Sequence, residues 1–454
     1  MDEFQSQNRP VSRRRFLQLG LGVGASTALA ACSRGGGGAL GGGGNGGKAT
    51  RLVVPANTSP WLAAYQATAR EYGKQSGVQL TIREFPYDGL RTAMVNAIRG
   101  GNLPFDLFHL DEPWTGEFYA NQWVTPLAEV KSDFELDKDV ISYDALPRWD
   151  QKQRRHSQVG EAMGLPINGN VNVFVYRKDL YDELGLSVPK TFEEAFQNGQ
   201  RAQQSGKARF GYVARAQATQ GGQSISYDFM PLLRTYGGDW YTPDYQPAIN
   251  NAGAVAAMEM FKRLLSLGPR QPQTVGQAEV IATMQGGQSI QCHTVAAAAA
   301  QLEDPSKSRV AGKLGYAEVP AGSTGKPTPT SGVWSLTIPR GLPAERAKAS
   351  LDFISWFLTE EAQLVFAKAG GIPTRTETYD SGEIPAQAQK YLPAIKQSLD
   401  DIRGSVRFPF SAEMLPVAEQ SLAATAAGRT PVKEGLDGLA NRLAEIARKA
   451  GFGG

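Results

Sequence analysis

Hydrophobic positions along the chain switch between strand and helix spacing from residue 51 onward. A short apolar run opens the pattern, residues 60–75 carry apolar side chains four positions apart, and residues 78–85 alternate as one face of a second strand. Ser59 and Pro60 are typical of a helix cap and a first helical position. This strand–helix–strand order predicts an α/β fold.

The pattern continues with a helix over residues 90–99, which two glycines end, and with a strand over residues 105–110. The strand leads into residues 111–114, Asp-Glu-Pro-Trp, which we predict to be a loop. In parallel α/β sheets, ligands bind at loops that follow the carboxyl ends of strands. The polar and aromatic groups of residues 111–114 therefore make this segment a candidate binding loop.

The first 32 residues follow a different pattern. Arg13 to Arg15 precede an apolar run that ends at Ala31 and is too short to span a bilayer comfortably. We predict an export signal over residues 1–31, and its paired arginines look like a twin-arginine signal. Leu-Ala-Ala-Cys at its end resembles a bacterial lipobox. That resemblance implies lipid attachment at Cys32 and anchoring on the extracytoplasmic face of the bacterial cell membrane, in the periplasm or at the cell surface. The alternative is an N-terminal helix with an incidental cysteine.

Glycine dominates residues 34–47, RGGGGALGGGGNGG. Such a composition does not repay the entropy of ordering, so we predict a flexible tether over residues 32–50. A phosphate-binding loop is excluded, because no Lys-Ser or Lys-Thr pair follows the glycines and no strand precedes them.

Charge and metal-ligand residues narrow the classes of partner. The chain has a formal charge of +3, and residues 1–31 hold four arginines against two acids, which leaves +1 for the remainder. No concentrated basic face is visible, so neither nucleic acid nor an acidic membrane surface is an expected partner. His109, His156 and His293 lack histidine or cysteine neighbours at ligand spacing, and Cys292 is expected to be a buried hydrophobe. We therefore predict no metal site and no cofactor.

A succession of segments after residue 163 carries a family resemblance. Each joins a strand or a helix to a turn; they are GLPINGNVNVFVYRKDLYDELGLSVPKTFEEAF (164–196), YGGDW (236–240), NNAGAVAAMEMFKRLLSLGP (250–269), ATMQGGQSIQ (282–291), YAEVPAG (316–322), SGVWSLTIPRG (331–341) and DFISWFLTEEAQLVFAKAGGIPTR (352–375). In this order they resemble the solute-binding component of carbohydrate ABC importers, the maltose-binding-protein-like family. The resemblance spans residues 51–450.

The resemblance implies a two-lobed periplasmic-binding-protein-like α/β fold in which each lobe is discontinuous. The implied ranges are residues 51–168 plus 322–372 for lobe I, residues 172–318 plus 376–454 for lobe II, and crossings near residues 168–173, 320–329 and 371–375. Such proteins close around a ligand by hinge motion. The implied function is that of a membrane-anchored, monomeric receptor that binds a sugar or an oligosaccharide between the lobes and delivers it to the permease subunits of an ABC importer.

Sugar chemistry indicates the side chains to expect in the cleft. Aromatic rings contact the apolar faces of sugar rings, while carboxylates, amides and guanidinium groups pair with hydroxyls. By the resemblance, the candidates are Asn57, Ser59, Asp111, Glu112, Trp114 and Trp334 on the first lobe, Asn168 and Asn170 at the hinge, and Tyr227, Asp228, Trp240, His293, Arg375 and Arg407 on the second. We expect Trp334→Ala or Asp111→Ala to weaken binding with little change in thermal stability.

Several of these residues have an alternative structural interpretation. Asn168 and Asn170 alternate with Asn172 and could form a solvated strand face, Trp240 could pack the domain surface, and His293 could cap a helix. Trp61 lies in the apolar stripe of a helix and is expected in the core. Gln-Cys-His-Thr at residues 291–294 stands where relatives often have an aromatic platform, which argues against ligand stacking from this segment.

Rival functions fit the sequence less well. A secreted glycan-processing enzyme needs two carboxyl groups that face one bond, whereas adjacent Asp111 and Glu112 would diverge in an extended loop. No G-x-S-x-G motif is present, and the sequence indicates no catalytic cysteine–histidine pair, so we predict that the protein is not an enzyme. The same fold could bind a polyamine, a peptide or a glycerol phosphate ester, but the candidate residues are mixed in charge and partly aromatic. A purely structural lipoprotein is not indicated, because the sequence has no repeats.

Overall fold

Residues 49–220 and 222–453 are described by the computed structural model, and they form eleven strands and sixteen α-helices. The predicted signal peptide, Cys32 and residues 32–48 of the predicted tether lie outside this range. No helix among the described residues combines the length and apolar character that a bilayer crossing requires.

The strands are short, and most are buried on both faces. They are β1 Arg51–Asn57, β2 Gln79–Phe85, β3 Phe108–Asp111, β4 Arg148–Asp150, β5 Arg155–His156, β6 Glu161–Ala162, β7 Gly164–Asn168, β8 Asn172–Arg177, β9 Gln291–Val295, β10 Leu314–Ala317 and β11 Trp334–Thr337.

The α-helices cover the sheets. They are α1 Leu62–Ser76, α2 Tyr87–Arg99, α3 Glu112–Ala120, α4 Leu127–Val130, α5 Lys178–Leu184, α6 Phe192–Gln204, α7 Ile225–Thr235, α8 Ala252–Ser266, α9 Gln277–Gln285, α10 Ala299–Leu302, α11 Ala344–Phe357, α12 Glu360–Lys368, α13 Thr376–Tyr379, α14 Leu392–Ser398, α15 Ser411–Ala426 and α16 Val432–Lys449. Three further turns of 3₁₀ helix are Pro272–Thr274, Ala296–Ala298 and Ala388–Lys390.

The strands form separate sheets on two sides of the molecule. On one side, β1 and β2 pair in parallel, and β11 lies between β3 and β7 and is antiparallel to both. The buried carboxylate of Asp106 joins these layers, because it accepts a hydrogen bond from the Val53 amide at 2.7 Å and from Arg346 of α11 at 2.5 Å. On the other side, β8 lies between β9 and β10 and is antiparallel to both.

The chain passes between the two sides at its hinge segments, and three asparagines connect them. Asn168 accepts a hydrogen bond from the Ile372 amide at 3.4 Å, and Asn172 accepts one from the Thr330 amide at 3.2 Å. Asn170 accepts one from the Ala297 amide at 3.0 Å. All three side chains are buried, so the solvated face considered above is wrong. The residue boundaries of the two lobes stay a prediction.

Two local predictions near the hinge are corrected. Helix α1 begins at Leu62, and the Ser59 hydroxyl caps nothing and has no protein partner. Residues 111–114 are not a loop, because Asp111 is the N-cap of α3 and accepts a hydrogen bond from the Glu112 amide at 3.0 Å. Proline is well suited to the first turn of a helix, and Pro113 is the second residue of α3.

Candidate functional site

A cavity of about 140 Å³ lies between the two sides, at the ends of β1, β3 and β11. This volume is roughly ten times the space that one enclosed water molecule needs. Its lining mixes amides, charged groups and aromatic rings; the residues are Asn57, Thr58, Ser59, Pro60, Trp61, Tyr87, Asp111, Asn170, Arg215, Gln223, Tyr227, Gln277, Val295, Ala297, Gly332 and Trp334. We call this cavity the cleft site.

Strand pairing positions one wall of the cleft site. Trp334, the first residue of β11, pairs with Asp111 at the end of β3 and with Asn168 at the end of β7. Asn57 ends the neighbouring strand β1, which runs parallel to β2. Because these strand ends meet at one edge, side chains far apart in the sequence face the same cavity.

Asp111 supplies a carboxylate to this wall. Its Oδ2 atom accepts a hydrogen bond from the Tyr87 hydroxyl at 2.6 Å, and its Oδ1 atom caps α3. Burial raises the pKa of Asp111 to about 7, and the neighbouring Glu112 carboxylate adds to the increase, while the Tyr87 hydrogen bond and Arg215 oppose it. Asp111 therefore changes its charge in the physiological pH range.

Arg215 faces the cleft site from the opposite side. Its Nε atom donates to Asp228 at 2.7 Å, its backbone amide donates to the same carboxylate at 2.8 Å, and its Nη1 atom donates to Gln277 at 3.3 Å. The guanidinium group lies 4.5 Å from the centre of the Tyr227 ring. The group is thus fixed in position, while its Nη2 atom has no hydrogen-bond partner among residues 49–220 and 222–453. Arg215 therefore offers the cleft site one oriented hydrogen-bond donor, and the Asp228 carboxylate already balances the positive charge of the guanidinium group.

Aromatic rings complete the enclosure. Trp334 lies 5.9 Å from Trp61 and 6.0 Å from Tyr87 between ring centroids, and Trp114 supports both Tyr87 and Trp334 from behind at 4.8 and 5.6 Å. His109 lies between the two tryptophans of the wall, and burial lowers its pKa to about 3, so it stays neutral. The rings form a rigid, uncharged face.

Four buried polar atoms on the lining have no hydrogen-bond partner within the part of the chain that the structure describes. They are Asn57 Oδ1, Ser59 Oγ, Arg215 Nη2 and Gln223 Nε2. Leaving a buried donor or acceptor unpaired costs about 1–3 kcal/mol, so their concentration in one cavity indicates a site built for a polar solute. The Asn57 oxygen accepts hydrogen bonds, the Arg215 and Gln223 nitrogens donate them, and the Ser59 hydroxyl can do either. This mixture matches a solute that carries hydroxyl groups, since a hydroxyl both donates and accepts.

Comparison with known proteins agrees with this geometry. Residues 55–364 match the family described as bacterial extracellular solute-binding proteins. The chain belongs to this family. Its members are solute-binding proteins and not enzymes, and the match confirms the prediction of a solute-binding protein.

Individual relatives are distant. A probable amino-acid ABC transporter periplasmic-binding protein of Sinorhizobium fredii is 23% identical over 87% of this chain and 89% of its own length. The mannitol-binding protein of Pseudomonas aeruginosa is 25% identical over 64% of this chain and 65% of its own length. A solute-binding protein of Agrobacterium radiobacter K84, solved in complex with ribitol, has 23% identity and a TM-score of 0.77 over 88% of this chain and 99% of its own. The last likeness confirms the predicted two-lobed fold.

Six of the predicted residues line the cleft site of this solute-binding protein. They are Asn57, Ser59, Asp111, Asn170, Tyr227 and Trp334. Two other predicted residues do not line the cavity but contact residues that do: Trp114 packs against Trp334, and Asp228 accepts a hydrogen bond from Arg215.

Glu112 and His293 lie in the protein interior and not on the cleft lining. Glu112 is fully buried below the cleft and accepts hydrogen bonds from the Ser331 hydroxyl at 2.9 Å and the Ser405 amide at 2.8 Å. His293 does not cap a helix, because it lies within β9 and bonds the Tyr212 hydroxyl at 2.6 Å and the Asp228 carbonyl at 2.7 Å.

The remaining four predicted residues also lie off the cleft lining. Asn168 connects two hinge segments, and Trp240 is completely buried in the core. Arg375 pairs with three acids, including Asp137 at 2.7 Å, beside a different surface groove. Arg407 lines a third groove, where it pairs with Asp144 at 2.8 Å. Their contacts in the structure are thus with other parts of the protein.

The sequence analysis missed several lining residues; they are Thr58, Trp61, Tyr87, Arg215, Gln223 and Gln277. Tyr87 follows the carboxyl end of β2, so the strand-end rule applied to that strand would have found it. Trp61 is both core and lining, because only its edge reaches the cavity while 2% of its surface is exposed. Arg215 and Gln277 lie in segments without a recognisable motif.

Proposed function

We propose that this protein binds a small polyhydroxylated solute, an acyclic polyol or a monosaccharide, in the cleft site and delivers it unaltered to an ABC importer. One observation carries the proposal: one cavity of about 140 Å³ combines fixed donors and acceptors from both sides with an aromatic wall. A linear polyol or a single sugar ring offers hydroxyls in several directions and an apolar carbon skeleton for the rings.

The charges of the cleft site support a neutral solute. Asp228 balances Arg215, and Asp111 stands alone as the remaining ionisable acid of the lining. A polyamine would need several converging acids, and a phosphate ester would need several unbalanced basic groups. An amino acid would need a carboxylate-binding cation that is free of other partners, and Arg215 is not free.

The same geometry supports binding without catalysis. Glu112, the sequence neighbour of Asp111, points away from the cavity and toward Ser331 and Ser405. One carboxyl group therefore borders the cavity, whereas glycoside hydrolysis needs two that flank one bond. The relatives that bind mannitol and ribitol add support for a polyol. Within this proposal the chain is a monomer, is anchored by lipid at Cys32 outside the cytoplasm, and meets the permease in its closed form.

A binding screen tests the proposal. The compact unit that begins at Gly47 would be examined by thermal shift and calorimetry against ribitol, mannitol, glucose, maltose, spermidine, glycerol 3-phosphate and a set of amino acids. A solute present at 100 times its Kd should stabilise the protein by about 2.7 kcal/mol. We expect this for a polyol or a monosaccharide, with full recovery of the unaltered solute. Stabilisation by an amino acid or spermidine alone, or turnover of any glycan, would overturn the proposal.

A further inference from the structure

A second cavity, of about 440 Å³, lies between the β4–β5–β6 sheet, the segment after α7 and the segment before α15. Five arginines line it: Arg154, Arg155, Arg234, Arg403 and Arg407. Two aspartates, Asp144 and Asp239, lie beside them. We call this cavity the arginine groove. Its excess of three positive charges exceeds the formal charge of +1 that remains once residues 1–31 are left out, so positive charge is concentrated at this groove.

The arginine groove is separate from the cleft site. The two cavities share no lining residue. Ser405 lies on the groove, and its hydroxyl donates at 2.7 Å to Gln223, which lies on the cleft site. The segment that contains Ser405 therefore forms a wall between the two cavities.

Internal pairing uses only part of the positive charge. Arg407 is satisfied, because it lies 2.8 Å from Asp144 and 3.5 Å from Glu112. Arg234 reaches Asp239 through Nε at 3.3 Å, but no described residue forms a hydrogen bond with its buried Nη1 atom. The groove thus contains a guanidinium that is held in place on one side and left unpaired on the other.

Three further arginines add charge without a carboxylate partner. Arg154 lies with its guanidinium 4.5 Å from the Phe452 ring centre and donates to the Ala450 carbonyl at 3.2 Å. Arg155 and Arg403 are exposed, and among the described residues no side chain pairs with either of them. Like charges gathered around one concavity repel each other, and low-polarity walls strengthen the potential inside. Tyr241, Tyr245 and Phe408 supply such walls.

We infer that the arginine groove binds an anionic group with several coplanar or clustered oxygens, namely a phosphate or a carboxylate. Guanidinium groups donate two parallel hydrogen bonds to such groups, and fixed arginines on more than one wall can hold one anion from several directions. The anion can come from a soluble compound or from an anionic lipid headgroup of the membrane that the predicted tether would keep close. This site requires nothing from the solute in the cleft site.

The experiment measures anion binding to the full-length protein by calorimetry, with inorganic phosphate and citrate as soluble probes and chloride adjusted to constant ionic strength. Vesicles of phosphatidylcholine with or without phosphatidylglycerol test the lipid source by co-sedimentation. Arg155→Gln and Arg403→Gln remove unpaired charge, so both should fold normally. Each should weaken anion binding about tenfold, the loss of one charge-assisted pair.

Arg70→Gln is the matched control. Arg70 is an exposed arginine on α1 that lies outside the groove, and its replacement by glutamine changes the net charge by the same amount. It should bind the anion as the unmodified protein does, and all three variants should keep their binding of polyol in the cleft site. Binding of phosphate or citrate without vesicle binding assigns a soluble anion, and binding only to phosphatidylglycerol vesicles assigns a lipid headgroup. The inference is overturned if no probe binds, or if the groove variants bind like the control.

Discussion

Lowering the pH below about 7 should weaken solute binding, because the cleft site needs the Asp111 carboxylate in its ionised form. Burial raises the pKa of this group to about 7, with the Glu112 charge adding to the rise and the Tyr87 hydroxyl and Arg215 opposing it. An ionised carboxylate accepts charge-assisted hydrogen bonds from two solute hydroxyls, whereas the protonated acid loses much of this capacity. Bound polyol should therefore lower the pKa of Asp111, and binding should release a proton.

The size of the effect follows from that pKa. If the solute binds only the ionised form, the affinity falls about tenfold for each pH unit below about 7, or about 100-fold near pH 5. The ligand-free protein should show the opposite trend in stability. Its folded-state pKa lies above the ordinary value of 3.8, so the folded chain binds more protons than the unfolded chain between these values. The Asp111 contribution to the free energy of unfolding therefore decreases as the pH rises from about 4 to about 7.

Titration calorimetry at several pH values, in buffers of different ionisation enthalpy, measures both the affinity and the protons released. Asp111→Asn should bind more weakly at pH 8 and show a flat pH profile, because the amide keeps the shape and loses the titration. Glu345→Gln, which removes an exposed carboxylate at the start of α11, should keep the original slope. An affinity that does not change between pH 5 and 8, or an Asp111→Asn variant that keeps the slope, would refute the reasoning.

Three further substitutions test the walls of the cleft site. Trp334→Ala should lower the free energy of unfolding by about 3–5 kcal/mol in denaturant titrations. Trp334 is 5% exposed and packs against Trp61 and Trp114, so we now expect a large effect on stability where the sequence alone suggested a small one. Gly332→Ala should weaken polyol binding, measured by calorimetry, because a Cβ atom there would lie 2.7 Å from the Tyr227 hydroxyl, and unchanged affinity would contradict the tight fit. Arg215→Lys should reduce affinity about tenfold or more, because lysine cannot keep the contacts to Asp228 and Gln277 together.

Local sequence patterns predicted most of the fold because they depend on short-range physics. Hydrophobic periodicity located β1, α1 and β2, and the ordered segments after residue 163 indicated the two lobes. The errors arose where one residue could serve two roles. Asp111 fits equally well as a loop residue and as a helix N-cap, and the hydrogen bond that its carboxylate accepts from the Glu112 amide decides between them.

The cleft site was predictable only where strand ends mark it. Asn57 and Asp111 end strands, Trp334 starts one, and these strand ends meet at one edge. The strand-end rule indicated Asp111, whereas the family resemblance supplied Asn57 and Trp334. Arg215 and Gln277 reach the cavity from segments 62 residues apart, and their relation is visible only as a hydrogen bond of 3.3 Å in the folded protein. Side-chain pairing of this kind depends on tertiary packing and has no local sequence signal.

The net charge of the sequence does not reveal the local cluster of arginines in the folded protein. The near-neutral sequence argued against nucleic acid and an acidic membrane surface as partners, because no concentrated basic face is visible in it. The arginine groove nevertheless collects residues 154, 155, 234, 403 and 407 from three separate parts of the chain. A net charge is a sum over positions, whereas an anion responds to the local potential, which falls off within about 10 Å at ordinary salt. The folded arrangement, and not the total, therefore decides which partners a face can attract.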